Sequence, residues 1–324
     1  TSRRQRQMCI RDRFGVGRRS RSDVAVCYIS DSVDRNTLDR MRKLIQSIDV
    51  DALTMNIESL AECMFTHKWI NPFPKFKYSE RPDTATAAIL DGNIVIMVDN
   101  SPAVMIIPAS IFDIIEEADD FNFSPMIGSY LRITRFFFSI ITWILTPLWL
   151  LFVNNPEWVP EFMKFILITD DITVPVLLQL LILELAVDGL KLAAVNTPTM
   201  LSTPLSIVAG IVVGEYAVSS GWFNPEALLY MAVVTVGTYG QTNFEMGYAF
   251  KFLRVLLLIL TQIFNLAGFI TGVVISVLMI AFNRTITGKS YIYPLIPWDG
   301  KMLKRKVFRV RLPPVSYTHL TLPT

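Results

Sequence analysis

The rhythm of hydrophobic and polar positions changes near Arg135. Before it, apolar residues come in short periodic groups. Residues 24–30, VAVCYIS, form a short β-rich run. Leu38, Met41, Ile45 and Ile48 recur at three or four residues, which predicts a helix over 34–48. A second helix is expected over 53–65, and Pro72 and Pro74 break the pattern after it. Residues 84–90 and 93–98 flank Asp91-Gly92, a favoured turn between two strands, so a hairpin is expected there. Residues 103–108 read as a further extended run and 111–118 as a short helix. Together these make a partial soluble α+β domain over 23–120.

Beyond Arg135 the apolar residues run together. Residues 136–153 carry no charge and reach the ~20 residues that a bilayer core of ~30 Å requires. Residues 255–282 form a longer uncharged run. Between them, Asn196, Pro198 and Pro204 put a helix break before a span over 204–221, and Pro225 is placed to start another over 226–244. Trp143, Trp149, Trp158, Trp222 and Tyr230 fall near the expected ends or interfaces, where amphipathic rings settle. The segment 174–195 differs: Glu184, Asp188 and Lys191 stand at i, i+4 and i+7 and so share one helix face. That helix is expected to be interfacial or re-entrant, with its charges on water, a wet cavity or a partner. The expectation is a membrane protein: the soluble domain, then an α-helical transmembrane bundle over 121–295 with about four spans (136–153, 204–221, 226–244 and 255–282), then a basic cytoplasmic tail over 296–313.

Basic flanks set the expected orientation. Arg132 and Arg135 precede the first span, and Lys301, Lys304, Arg305, Lys306, Arg309 and Arg311 follow the last. The loop 154–171 carries Glu157, Glu161, Asp170 and Asp171 against Lys164. Both basic ends are therefore expected in the cytoplasm, which needs an even number of spans. Lys251 and Arg254 oppose this assignment, because it leaves them outside. A five-span alternative would bring them in and strand the larger basic tail.

Composition narrows the chemistry. Of the 324 residues 18% are charged, below the ~25% of ordinary soluble domains, and the net charge of +2 is too small to suggest nucleic acid. The cysteines, Cys9, Cys27 and Cys63, have neither disulfide nor zinc spacing. Residues 2–13 and 315–324 resemble translated sequencing-adapter read-through, so 1–22 and 314–324 are expected to be artefact or unstructured, with genuine N-terminal sequence missing. Without Cys9 and His319, His67 is the remaining histidine. Cys63 and His67 supply two ligands, too few for a zinc site. Thr287-Gly288-Lys289-Ser290 ends like a phosphate loop, but Asn283 stands where the first glycine is required, and a polar turn is the expected reading. No Ser-His-Asp set can be assembled. No enzyme activity, metal or cofactor is expected.

Glu215, in IVAGIVVGEYAVSSG, lies inside an expected span, where a carboxylate costs roughly 2.5–3.5 kcal/mol and must face protein or water. It is either part of an ion path or gate, or a carboxylate hydrogen-bonded at an interface. Glu184, Asp188 and Lys191 are the second set of candidate pore or gating residues, against the plainer reading of a charged face on water. Gly210 and Gly214, and Gly268 and Gly272, are small-xxx-small pairs suited to helix packing.

Four stretches, ILTPLWLLFVNNPEWVP, VPVLLQLLILELAVDGLKLAAVNTP, LSIVAGIVVGEYAVSSGWFNPEAL and SYIYPLIPWDG, resemble the GerA spore germination family. The resemblance covers roughly residues 24–313. Gly214-Glu215 stands where receptor A subunits of the family carry glutamine after the glycine. Ala186-Val187-Asp188-Gly189 stands where they read Arg-Glu-Ala-Gly. These departures favour a sporulation branch over a nutrient receptor. The resemblance implies residence in the inner membrane of bacterial endospores, a homo-oligomer that is a pentamer in the receptors, other germination membrane proteins as partners, and an ion channel releasing monovalent cations. A secondary transporter predicts coupled, saturable flux and internal repeats. A non-conducting scaffold predicts assembly that survives removal of the charges.

Overall fold

Alternation along the second strand organises the first part of the chain. In Ser22–Ile29, Val24, Val26 and Tyr28 enter one apolar cluster, while Cys27 enters another on the opposite face. A strand with both faces covered needs helices on both sides. The computed structural model supplies them. It describes residues 9–64, 71–169, 173–196, 210–288 and 290–309.

The chain divides into two units, residues 1–134 with 281–324, and residues 135–280. The first holds a five-stranded antiparallel sheet. Its strands are β1 (Cys9–Val16), β2 (Ser22–Ile29), β3 (Lys77–Ser79), β4 (Ile94–Val98) and β5 (Val104–Ile107), in spatial order β1-β2-β4-β5-β3. Helix α1 (Arg35–Gln46) is capped by Asp34, which accepts from the Asn36 amide. It buries Leu38, Met41 and Ile45, three of the residues whose spacing predicts it. With α2 (Ile57–Met64) it covers one face of the sheet, against Val24, Ile94, Ile96 and Met105. Helix α3 (Pro82–Leu90) covers the other, placing Ala85 and Ala88 against Cys27, Val95 and Ile106.

One expectation is corrected here. Residues 84–90 form α3 and no hairpin strand. Pro82 opens that helix with the fixed φ a first turn requires, and alanines carry it on. Asp91-Gly92 therefore joins a helix to β4. Gly92 sits at φ +88°, and a Cβ there would lie 2.7 Å from the Ser32 carbonyl oxygen. Within residues 1–22, β1 pairs with β2 from Cys9 opposite Ile29 to Val16 opposite Ser22.

The returning segment completes this unit. Ile286 joins the sheet's core, Lys75 donates to the Arg284 carbonyl at 2.8 Å, and the Ile111 amide donates to the Tyr291 carbonyl at 2.9 Å. Helix α4 (Ile111–Ile115) begins with a capping box in which Ser110 and Asp113 satisfy each other's amides. Asp113 and Glu116 then receive Lys306, at 2.5 and 3.0 Å. Arg132, only 2% exposed, bridges Glu116 at 2.6 Å and Asp120 at 3.1 Å.

The second unit is helical. Helix α5 (Pro125–Asn154) enters it from the first. It is followed by α6 (Val176–Asn196), a π-helical segment Gly210–Tyr216 with a short turn Ala217–Ser219, α7 (Pro225–Tyr239) and α8 (Phe244–Ala281). Helix α9 (Gly300–Val307) belongs to the first unit. Among the described residues, α5 and α8 are long and apolar enough to cross a membrane. The expected span 226–244 is interrupted, because α7 stops at Gly240 and α8 starts at Phe244. The expected single span 255–282 is interrupted too: Asn265, at φ +52° and ψ −129°, divides α8 into 244–264 and 266–281. Most of the expected span 204–221, with Pro198 and Pro204, lies outside the described residues, as does His67.

The Lys306 cluster should make the first unit sensitive to acid. Burial alone would raise the Asp113 carboxyl, but Lys306 and Ser110 outweigh it and hold the group below its ordinary range. Burial alone would lower the Lys306 ammonium, but Asp113 and Glu116 outweigh it and raise the group. A depressed acid stabilises above its unfolded pKa of ~3.9 and loses that contribution as pH falls through the folded value. A raised base stabilises below its unfolded pKa of ~10.4 and loses that contribution as pH rises further. We expect Lys306→Met to cost about 1–3 kcal/mol at neutral pH, a partly exposed version of breaking a buried pair. The loss should shrink below pH ~4, and denaturant titration in detergent across pH would measure it.

Candidate ion-pair pocket in the helical unit

Apolar packing places the site. Trp149 and Leu150 of α5, Leu180 and Leu183 of α6, Ala227 and Met231 of α7 and Leu258 of α8 share one cluster. The Trp149 ring lies 4.8 Å from that of Tyr230, and its indole N–H donates to the Ile166 carbonyl at 2.7 Å. The start of α6 is fastened to that of α7 by side-chain amides. Gln179 Nε2 donates to Asn224 Oδ1 at 2.7 Å, and the Asn224 amide donates to Gln179 Oε1 at 2.9 Å.

Within this apolar setting α6 and α8 bring together four charged groups. Glu184 is 4% exposed and Arg254 is 3% exposed. Arg254 grips Glu184 through Nε to Oε1 at 2.5 Å and Nη2 to Oε2 at 2.8 Å, and its Nη1 donates to the Thr142 carbonyl of α5. Lys251, one turn earlier, pairs with Asp188, donates to the Glu184 carbonyl at 3.0 Å and lies 3.6 Å from Glu184 Oε2. The register is antiparallel: Glu184 meets Arg254, and Asp188 meets Lys251. Lys191 stands apart, with its ammonium 5.2 Å from the Tyr239 ring centre and 5.6 Å from that of Tyr248.

These groups line a cavity of about 70 Å³, together with Thr235, Thr238 and Gln241. Asp188 Oδ1 and Gln241 Oε1 are buried and accept no hydrogen bond among the described residues. The volume exceeds the ~10–15 Å³ that one water needs. Two acceptors would suit a donor or a cation, but Lys191, Lys251 and Arg254 outnumber Glu184 and Asp188, so the local field opposes a bare cation. In this conformation the arrangement acts as a charge-compensated clasp between α6 and α8. No group of three or more His, Cys, Asp or Glu suited to a metal occurs among the described residues.

The other candidates fall elsewhere. Glu215 is exposed on the π-helical segment, away from the clasp's lining. A Cβ added at Gly210 or Gly214 would meet nothing within 4 Å among the described residues, so neither marks a close approach there. Gly268 and Gly272 do. A Cβ at Gly268 would lie 1.8 Å from the Leu260 carbonyl oxygen, and one at Gly272 would lie 2.4 Å from Leu257 Cδ1. The two parts of α8 thus fold onto each other around Asn265. The Asn265 and Asn155 amides exchange hydrogen bonds at 2.5 and 2.8 Å across that bend. Lys251, Arg254, Gln241, Tyr239 and Tyr248 line this candidate site and are not among the sequence-predicted site residues. Lys251 and Arg254 at i, i+3 mirror Glu184 and Asp188 at i, i+4, and that complementarity of sign was the available signal.

The chain thus joins a sheet-bearing unit to an apolar helical unit that holds the buried ion pairs. A family profile described as Bacillus/Clostridium GerA spore germination protein matches residues 3–318, and the chain belongs to that family. It is 36% identical over 298 residues to stage V sporulation protein AF of Bacillus subtilis (strain 168), covering 92% of this chain and 60% of that protein. It is 27% identical over 300 residues to spore germination protein GerLA of Bacillus cereus, covering 91% and 60%, and 25% identical over 302 residues to spore germination protein XA of Bacillus anthracis, covering 92% and 61%. The chain thus spans about six-tenths of the length of these relatives. Among solved structures, the N-terminal domain of the A subunit of the Bacillus megaterium spore germinant receptor GerK3 is 26% identical, covering 31% of this chain and 77% of that one at a TM-score of 0.24.

The clasp has a measurable signature. Glu184→Gln leaves Arg254 buried without its countercharge and is expected to cost about 3–5 kcal/mol. Glu184→Met combined with Arg254→Met should recover most of that loss. Thermal melts of the wild type, Glu184→Met, Arg254→Met and the double variant in one detergent would measure the coupling. Equal, additive losses would show that the pair is not energetically linked.

Proposed function

We propose that the protein is a subunit of a spore inner-membrane germination complex, and that it assembles as a homo-oligomeric channel passing monovalent cations during germination. The observation that carries this reading is the buried clasp inside an otherwise apolar helical unit, read as a contact that opens and not as the cation's own site. Charge retained in such a setting marks ion paths and switches more often than packing, because each unmatched charge costs several kcal/mol. Membership of a family whose relatives are named as spore germination and sporulation proteins supports the setting. Helix α5 and the apolar arms of α8 support the membrane.

Glu215 supports assembly. It is exposed on a segment that otherwise reads GIVVG-Y, and a neighbouring subunit or a water-filled path would give its carboxylate partners. The clasp also removes an objection to cytoplasmic placement of both basic ends. Lys251 and Arg254 are matched by Glu184 and Asp188, so they do not count as free flanking charge. On this reading the sheet-bearing unit and the tail face the spore core. Opening would exchange the clasp's internal pairs for water or ions. No enzymatic step is part of the proposal.

Purified protein reconstituted in planar bilayers is expected to pass K⁺ in preference to Cl⁻. Glu215→Gln should lower unitary conductance without changing the melting temperature. Asp188→Asn, which loosens one arm of the clasp, should raise open probability. Absence of conductance in the oligomer, together with unchanged germination in spores carrying Glu215→Gln, would remove the channel role.

A further inference from the structure

Helix α9 divides cleanly into two faces. Met302, Leu303, Lys306 and Val307 are half-buried on one side, where Lys306 meets Asp113 and Glu116. Lys301, Lys304, Arg305 and Phe308 are exposed on the other, at the i, i+3, i+4, i+7 spacing of a single stripe. Among the described residues none of Lys301, Lys304 and Arg305 forms an ion pair with a carboxylate. The segment leading into α9 adds exposed apolar groups: Trp298 is 71% exposed and Ile296 57%.

The position of α9 explains what this surface meets. Arg309, just beyond it, donates to the Phe121 carbonyl at 2.9 Å and to the Phe123 carbonyl, and its amide donates to Ser129 Oγ at 3.0 Å. Arg132 donates to the Arg305 carbonyl at 3.0 Å. Helix α9 is therefore fastened to the first turns of α5, the helix that goes on to become a candidate span. Those turns are ringed by exposed Phe121, Phe123, Met126 and Tyr130, the kind of residues that settle at a bilayer interface. A bilayer surface that met those turns would also meet the exposed stripe of α9. A basic stripe flanked by exposed Trp and Ile is the composition of an interfacial anchor.

We propose that the exposed face of α9, Lys301, Lys304 and Arg305 with Trp298 beside it, is a docking surface for anionic phospholipid headgroups. This rests on the reading of α5 as membrane-spanning. Three lysine or arginine side chains at a negative surface together correspond to roughly a hundredfold preference over a neutral one. The attraction is screened as salt is raised, the Debye length falling from ~10 Å at 0.1 M to ~3 Å at 1 M.

The test uses the full chain in lipid nanodiscs made with bromo-acyl phosphatidylcholine, with or without 30 mol% phosphatidylglycerol. The quenching assigned to Trp298 is the difference between the unmodified chain and Trp298→Phe. It should rise when phosphatidylglycerol is present, fall back in high salt, and be abolished in the combined Lys301→Gln, Lys304→Gln, Arg305→Gln variant. Those three side chains are exposed, and an unchanged melting temperature would confirm that the variant folds. Quenching indifferent to phosphatidylglycerol, or preserved in the triple variant, would overturn the proposal while leaving the spanning reading intact. A chain that entered neither kind of disc would overturn both.

Discussion

Charge inside apolar surroundings must be matched where it stands, and the Glu184–Arg254 contact is where this chain meets that demand. Moving one ion out of water costs several kcal/mol even after the protein relaxes, and a bidentate partner returns most of it. With Arg254 also satisfied by the Thr142 carbonyl, one guanidinium ties together α5, α6 and α8. Lys251 and Asp188 extend the same contact by one turn. The register between α6 and α8 follows, since sliding either helix would separate both pairs at once. Replacing such a pair by well-packed apolar residues is often neutral or stabilising. Stability is therefore a weak reason for its presence. A switchable contact, as the proposed channel requires, is a better one.

The sheet-bearing unit solves a related problem with a shared carboxylate. Glu116 accepts from Arg132, near the start of α5, and from Lys306, on α9. Neither cation can leave without exposing the other to a changed field, so the two helices are coupled electrostatically as well as by the Arg132–Arg305 backbone contact. Asp120, fully buried, fixes the second arm of Arg132. The basic tail is thus heterogeneous. Lys306 is structural, whereas Lys301, Lys304 and Arg305 are exposed and form no carboxylate ion pair among the described residues.

Much of this was legible in the chain, for identifiable reasons. Helix α1 follows from Leu38, Met41 and Ile45 because a single amphipathic face was being buried. β4 and β5 follow from short β-branched runs. Helix α3 was misread because its alanines carry little periodicity, and the decisive cue was Pro82 at its first turn. The bend at Asn265 is hard to read in the sequence because neither proline nor glycine stands at the break itself. A positive φ at asparagine is uncommon, and the evidence for it lies in Gly268 and Gly272, which the fold-back requires. The charge clasp was half visible. Glu184 and Asp188 stood out as charges in an apolar run, and Lys251 and Arg254 stood out as an obstacle to topology. Their pairing depends on helix register, which periodicity within one segment does not contain.

That pairing bears on how α6 relates to a membrane. Judged by composition alone, Glu184, Asp188 and Lys191 mark it as an interfacial helix with a wet charged face. An interfacial helix would show Glu184 to water, yet Glu184 is among the most enclosed charged groups in the helical unit. At 1.5 Å per residue, α6 is about 31 Å long, enough for a bilayer core of ~30 Å. Helix α7 is about 22 Å long and falls short without tilt-free help from its flanks or a thinner bilayer. With Glu184 and Asp188 matched by Arg254 and Lys251 of α8, and Lys191 left on the Tyr239 and Tyr248 rings near the end of α6, the insertion cost of roughly 2.5–3.5 kcal/mol per central charge is much reduced for α6. The helix that sequence places at the surface is therefore, on energetic grounds, a better spanning candidate than α7. The reason lies in residues some sixty to seventy positions away along the chain.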